Sequence, residues 1–340
     1  MKIIQVILSF VSLISSLYTK ERPNVIVVLV DDMGYSDLGS FGGEVKTPNI
    51  DRLAGNGLRF TQNYNSARCC PSRASLLTGL YSHQAGIANF TGRDSTDRMG
   101  PAYLGRLNKK CVTLAEVLKK AGYQTYGVGK WHVGHEALPT DRGFDEYYGY
   151  VRGHSASQWK PENNQRLPEG REKELSYEDG KYYATDVFSD YAVEFIKQAE
   201  SKESPFFLYL AHSSPHFPLE APSETRDSYL KIYREGWDKL RKKRYKRQKE
   251  IGLITDAWKF TEISEVPADR DDIANHYAGK LNPKWEDLPD DRKEDLVYRM
   301  STFAAMIEHV DRGVGRIIAK LKEQGKLQNT LILFTSDNGA

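Results

Sequence analysis

Asn24-Val25-Ile26-Val27-Val28-Leu29-Val30 is an unbroken, mostly β-branched apolar run that ends on Asp31-Asp32-Met33-Gly34. A continuous run, rather than an alternating one, predicts a strand buried on both faces of a parallel sheet. Helices must then cover both faces, which makes the fold α/β. Ligands collect at the carboxyl ends of strands in such sheets, so two adjacent aspartates there point to a cation site. The same grammar recurs along the chain. A strand over 123–128 runs into Gly129-Lys130-Trp131-His132-Val133-Gly134, and one over 205–211 into His212-Ser213-Ser214-Pro215-His216. A last strand over 330–335 runs into Ser336-Asp337-Asn338-Gly339. Lys130 and His132 are two apart, so an extended segment projects both to one side. An ammonium and an imidazole at a strand end suit binding and proton transfer on an anionic centre. Asp337 and Asn338 mirror Asp31 and Asp32, and a set of carboxylate and amide oxygens favours calcium over zinc. The two histidines His212 and His216 follow one strand and could form a metal pair, with a structural His212 as the alternative.

Helices fill the intervals. Thr47-Pro48-Asn49-Ile50-Asp51 opens a short capped helix, followed by an expected strand over 58–64. Thr113-Leu114-Ala115-Glu116 is a capping box, with Gly122 as the stop. Val187, Tyr191, Phe195 and Ile196 give helical spacing over 186–199, and 298–324 reads as a long amphipathic helix. The stretch Cys69-Cys70-Pro71-Ser72-Arg73-Ala74-Ser75-Leu76-Leu77-Thr78-Gly79 has proline and serine where a helix begins. Cys69 then sits at or just before a helix N-terminus, where free N–H groups and the dipole favour anions. Arg73, four residues on, shares the face of Cys69.

Composition sets outer limits. The 340 residues are 39% apolar and 28% charged, enough for a sizeable core, and the net charge of +2 gives no reason to expect nucleic acid as a partner. Three cysteines do not make a disulfide framework; Cys69 and Cys70 are not expected to pair, nor either with Cys111. Residues 1–18 carry one positive charge, an apolar run and small residues, the pattern of a cleaved secretory signal. No other segment is apolar enough to cross a bilayer. The expected product is exported, periplasmic or extracellular (secretory or lysosomal in a eukaryote), without stable membrane association. Asn89-Phe90-Thr91 is a glycosylation sequon, meaningful only in a eukaryotic secretory pathway.

Four motifs, in order, resemble the type I sulfatases of the alkaline phosphatase superfamily: C-x-P-S-R-x-x-x-x-T-G at 69–79, G-K-W-H-x-G at 129–134, P-H-x-P at 215–218 and S-D-N-G at 336–339. Gly143-Phe144-Asp145-Glu146-Tyr147-Tyr148-Gly149 fits the same series, and the resemblance runs from about Pro23 to the end. It implies an alkaline-phosphatase-like, mostly parallel sheet with helices on both faces, and hydrolysis of aryl or carbohydrate sulfate esters. It also implies that a formylglycine-generating maturation enzyme oxidises Cys69 to Cα-formylglycine, whose hydrate is the nucleophile. One calcium ion would be held by Asp31, Asp32, Asp337, Asn338 and residue 69. Arg73, Lys130 and His216 would offset charge on the sulfuryl group, His216 would protonate the departing alcohol, and His132 would help expel sulfate. The substrate would be a sulfated small molecule or polysaccharide. The family's further lysine and its small C-terminal α+β subdomain would follow the S-D-N-G motif, and no residue up to Ala340 is assignable to them. On this reading 19–340 is a truncated N-terminal catalytic domain, with a basic helical insertion over about 220–291. Its run Lys239 to Lys249 reads as a solvated helix face, with recruitment of a sulfated polyanion as the alternative. Two other functions stay open: a phosphonate monoester or phosphodiester hydrolase with the same nucleophile, and a non-catalytic fragment that binds calcium or sulfated glycans.

Overall fold

The computed structural model describes residues 22–153, 156–266 and 279–339; the expected signal segment and part of the insertion lie outside them. Six strands form the sheet: β1 (Asn24–Asp31), β2 (Gln124–Lys130), β3 (Glu146–Tyr150), β4 (Gln165–Leu167), β5 (Phe206–Pro215) and β6 (Thr330–Ser336). Their order is β4-β3-β2-β5-β1-β6, parallel throughout except for the edge strand β4. The helices that matter here are α1 (Pro48–Asn56), α2 (Cys69–Thr78), α3 (Leu114–Lys120), α4 (Ala184–Glu200), α5 (Trp237–Glu250) and α6 (Asp290–Glu323).

The continuous apolar run of β1 is explained by its two neighbours and two covered faces. Val25 pairs with Phe207 of β5 on one side and Leu331 of β6 on the other. Ile26, Val28 and Val30 join Leu208 and Leu210 against Val187, Tyr191 and Phe195 of α4 and Ile307, Val310 and Val314 of α6. Val27 and Leu29 point the other way, with Phe207 and Tyr209, onto Cys70, Ala74 and Leu77 of α2 and Ala115 of α3. Alternate residues of one strand thus feed two cores, and the expected α/β layering is present.

Capping holds in one place and changes hands in another. Thr113 Oγ1 accepts from the Glu116 N–H at 3.1 Å, and Glu116 Oε2 accepts from the Thr113 N–H at 2.6 Å, the reciprocal pair that starts α3. At α1 the expected Thr47 cap is replaced. Asp311 of α6 accepts from the N–H groups of Asn49 (3.0 Å) and Ile50 (2.8 Å), so a carboxylate from a distant helix sits at the positive dipole end.

Two expectations fail. Residues 58–64 form an irregular loop, not a strand, with Leu58 87%, Phe60 65% and Tyr64 87% exposed. Local β-propensity does not decide the matter: β6, and not this segment, pairs with β1, and no described strand pairs with residues 58–64. The basic helix α5 forms as expected, but Arg244 is not part of a free cationic face. Its guanidinium bonds Glu44 Oε2 at 2.7 Å and Asp37 Oδ1 at 2.9 Å, clamping α5 to the loop after β1. Lys242 and Lys246 remain exposed. Among the described residues no helix is long and apolar enough to cross a membrane.

His212 is structural. It is fully buried on β5, neither ring nitrogen has a hydrogen-bond partner, and burial with nearby Arg316 pulls its pKa down to about 3, against the pull of Asp186. A histidine depressed in the fold takes up its proton only on unfolding, so its contribution to stability is complete above pH 6.5 and is lost as pH falls towards 3. At pH 5 the expected loss is about 2 kcal/mol. Urea unfolding of the native chain and a His212→Gln variant checks this: the difference between their stabilities should shrink by that amount from pH 7.5 to pH 5. A constant difference would show that His212 does not carry the slope.

Candidate active site

Four strand ends and one helix start meet at the carboxyl edge of the sheet. Asp31 ends β1 and Asp32 follows it, Lys130 ends β2, His216 follows β5, and Asp337 and Asn338 follow β6. Cys69 is the first residue of α2, so the Pro71-Ser72 helix start is where the sequence places it. Among the described residues, three non-glycines have positive φ: Asp32 (62°), Ala67 (54°) and His132 (51°). Two of them belong to this cluster, and such conformations persist where surrounding structure over-determines them.

At the centre lies a buried charge lattice. Arg73 donates from Nε to Asp337 Oδ2 at 2.9 Å and from NH1 to the Lys130 carbonyl at 3.0 Å, with NH2 2.8 Å from the same Asp337 oxygen. Lys130 Nζ donates to Asp31 Oδ2. All four side chains are 0% exposed, so two cations balance two anions away from water. Burial and the like charge of Asp31 push Asp337 up to about 6 despite Arg73 beside it. Asp32 is partly exposed; it accepts from Asn338 Nδ2 at 2.5 Å and lies 3.5 Å from His216 Nε2.

The left-handed turn at His132 breaks the expected strand alternation. Lys130 turns inward to Asp31, whereas His132 turns to Cys70, with Nε2 3.2 Å from its Sγ. Cys69, Cys70 and His132 are all buried and their donor atoms lie within 4.8 Å of one another. Burial lowers the His132 pKa, aided by Lys130 and Arg73 and opposed by Cys70, so the imidazole is neutral at pH 7. The neighbouring Cys70 and burial hold the Cys69 thiol up, whereas Cys69 and the His132 imidazole pull Cys70 down to about 4 against its burial. All three cysteines are free, as expected.

The oxygen donors fit a hard cation. Asp31 Oδ1 is buried, 3.6 Å from Arg73, and accepts no hydrogen bond, while Asp32 and His216 each place a donor atom within 4.8 Å of one on Asp31. Asp337 and Asn338 adjoin through the bond from the Asp32 N–H to Asp337 Oδ1 (3.4 Å) and the Asn338 contact above. Carboxylate and amide oxygens are the ligands calcium takes, and the thiols with His132 form a second donor group.

The expected residues are therefore brought together, but Arg73 and Lys130 are turned to Asp337 and Asp31. Sequence reasoning missed the cleft beside them. A space of about 420 Å³ opens next to His132, lined by Phe90, His135 and Arg152 among others. Arg152 follows β3 as His132 follows β2, so the strand-end rule held the signal. A larger cleft of about 580 Å³ at Asp51, Arg59 and Arg247 contains none of the site residues.

Comparison with known proteins bears directly on this site. The family model for sulfatases matches residues 23–340. An uncharacterised sulfatase of Schizosaccharomyces pombe is 35% identical over 94% of this chain and 58% of its own length. The arylsulfatase of Klebsiella aerogenes is 34% identical over 94% of this chain and 67% of its own. Among solved structures, Ps i-CgsB in complex with k-i-k-neocarrahexaose superposes with a TM-score of 0.64 at 29% identity, covering 94% of this chain and 59% of that one. The chain thus spans about three fifths to two thirds of the length of these three proteins.

Proposed function

Because the chain belongs to the sulfatase family, we propose that it hydrolyses sulfate esters of a carbohydrate or aryl alcohol at the edge where β1, β2, β5 and β6 end. The observation that supports this most is the convergence itself. Residues far apart in sequence, Asp31, Cys69, Lys130, His132, His216 and Asp337, share one cluster beside an open cleft. The names of the arylsulfatase and of the neocarrahexaose complex support the substrate class.

Converted to Cα-formylglycine and hydrated, residue 69 would supply the attacking hydroxyl. A calcium ion on Asp31, Asp32, Asp337 and Asn338 would withdraw charge from sulfate oxygen. The chain's own groups do the rest. Arg73 and Lys130 hold positive charge beneath the sulfuryl position without leaving the lattice, so they act as fixed electrostatic and positioning groups. His132, neutral through burial and close to residue 69, is the base that removes a proton there when sulfate departs. His216, on the rim beside Asp32, donates a proton to the leaving alcohol. The cleft at Phe90, His135 and Arg152 receives that alcohol.

The test is a substrate panel with the matured chain: 4-nitrophenyl sulfate, sulfated oligosaccharides, a phosphodiester and a phosphonate monoester. Sulfate release that is lost on chelation and regained with calcium is the expected result. Preference for the phosphorus substrates would favour the phosphonate hydrolase reading. Glycan binding without sulfate release, after full conversion of residue 69, would leave a binding fragment.

A further inference from the structure

Before residue 69 is oxidised, the site contains a donor set that the hydrolytic reading does not use. Cys69 and Cys70 open α2 side by side, and His132 is held against them by its left-handed turn. The two Sγ atoms and a ring nitrogen lie within 4.8 Å of one another, with Cys70 Sγ 3.2 Å from His132 Nε2. All three side chains are buried. Zinc–thiolate and zinc–imidazole bonds run about 2.3 and 2.0 Å, so donors sharing one tetrahedral ion stand some 3.5 Å apart. The observed spacing needs only small side-chain shifts to reach that. Next to this cluster lies one of opposite character, the oxygen donors Asp31 and Asp32, with His216 on their rim. Soft thiolates select zinc and cuprous ions, whereas carboxylates select calcium and magnesium.

We propose that the unconverted chain binds one thiophilic metal ion, zinc in the first instance, through Cys69, Cys70 and His132. On binding, both cysteines coordinate as thiolates and any proton still on a sulfur passes to solvent, while the imidazole enters neutral and water takes the remaining position. Conversion removes the site: when the maturation enzyme oxidises Cys69 to an aldehyde, an external two-electron oxidant taking the electrons and the sulfur leaving at the sulfide level, one of three protein ligands is lost. Thiophilic metal and aldehyde are therefore alternative states of position 69, and Cys70 is the residue that makes the first one available. This inference concerns the thiol form alone and stands whether or not conversion follows.

The experiment uses the full chain produced without the maturation enzyme, with the Cys69 thiol verified by mass. Zinc is titrated in competition with a chromophoric chelator, and cobalt(II) is added separately to read thiolate ligation by its near-ultraviolet charge-transfer absorption. The expected result is one zinc per chain and cobalt–thiolate bands. Cys70→Ser and His132→Ala should each weaken zinc by more than the roughly 10–100-fold that loss of an outer-shell partner costs. Cys111→Ser should match the parent, because that thiol is committed to the Asn108 carbonyl at 3.1 Å and lies outside the cluster. Circular dichroism on each variant separates ligand loss from misfolding, and Cys70→Ala provides a second truncation should the serine variant misfold. Zinc binding that survives Cys70→Ser, that disappears with Asp32→Asn instead, or that gives no cobalt–thiolate band overturns the assignment. Zinc capacity should also fall in proportion to the converted fraction. Zinc binding by the thiol form, with no sulfate release by the fully converted form, would sink the hydrolytic reading and leave this one intact.

Discussion

Arg73→Met is expected to lower the unfolding free energy by about 3–5 kcal/mol at pH 7, the cost of breaking a buried ion pair from one side. Arg73 is 0% exposed, and its guanidinium holds Asp337 at 2.9 Å and the Lys130 carbonyl at 3.0 Å. Removing it leaves two buried carboxylates, Asp31 and Asp337, with Lys130 as the remaining cation of the lattice. Asp337 already sits near 6 through burial and its neighbour's charge, so without Arg73 it should rise further and fold protonated. The sign follows: a carboxylate raised in the fold favours the folded state at low pH, and that contribution is lost as pH rises from about 4 through its folded value. The variant should therefore regain stability relative to the parent as pH drops. Adding Asp337→Asn removes the stranded charge and should recover much of the loss, giving a coupling energy in a double-mutant cycle. Urea unfolding of the four chains decides it. A single-variant loss below about 1 kcal/mol, or strictly additive variants, would mean that Arg73 is not the counter-charge it looks to be.

That lattice also marks the limit of what the sequence could say. β1 and β5 were legible because burial on both faces writes a continuous apolar run, and β2 and β6 because each leads into a strand-end motif. The site residues were legible because each follows such a strand, or begins a helix at Pro71. Pairings inside the site were not. Nothing in the spacing of Cys69 and Arg73 says that the guanidinium turns to Asp337, 264 positions away. Nor does Lys-x-His announce that positive φ at His132 will send the two side chains to different partners. Cys70 was missed for the same reason, since its meaning depends on an imidazole 62 residues on. The expected strand over 58–64 failed because propensity is local while strand formation needs a free edge in register. Arg244 looked like one cation of a basic face until Glu44 and Asp37 came into reach.

Cys69→Ala should abolish sulfate release, by on the order of 10⁴-fold or more, while the chain still folds. The thiol is small, it lies beside Cys70 and His132, and it carries no part of the charge lattice, so the change removes little packing. Loss of turnover with retained stability is the signature of a reacting group rather than a scaffold. Cys69→Ser is the sharper variant. A serine hydroxyl can attack the sulfuryl group and release the alcohol, which leaves a sulfate ester on the chain. On the proposed mechanism a hydrated aldehyde at residue 69 would carry a second hydroxyl for His132 to deprotonate, so that the carbonyl would re-form as sulfate leaves. Serine has no such hydroxyl, and its ester must wait for water in a buried site. The expected record is one equivalent of alcohol per chain, then arrest, with the intact mass raised by one sulfuryl group. Steady turnover by the alanine variant would remove residue 69 from the chemistry, and steady turnover by the serine variant would show that water, not a second hydroxyl, completes the cycle.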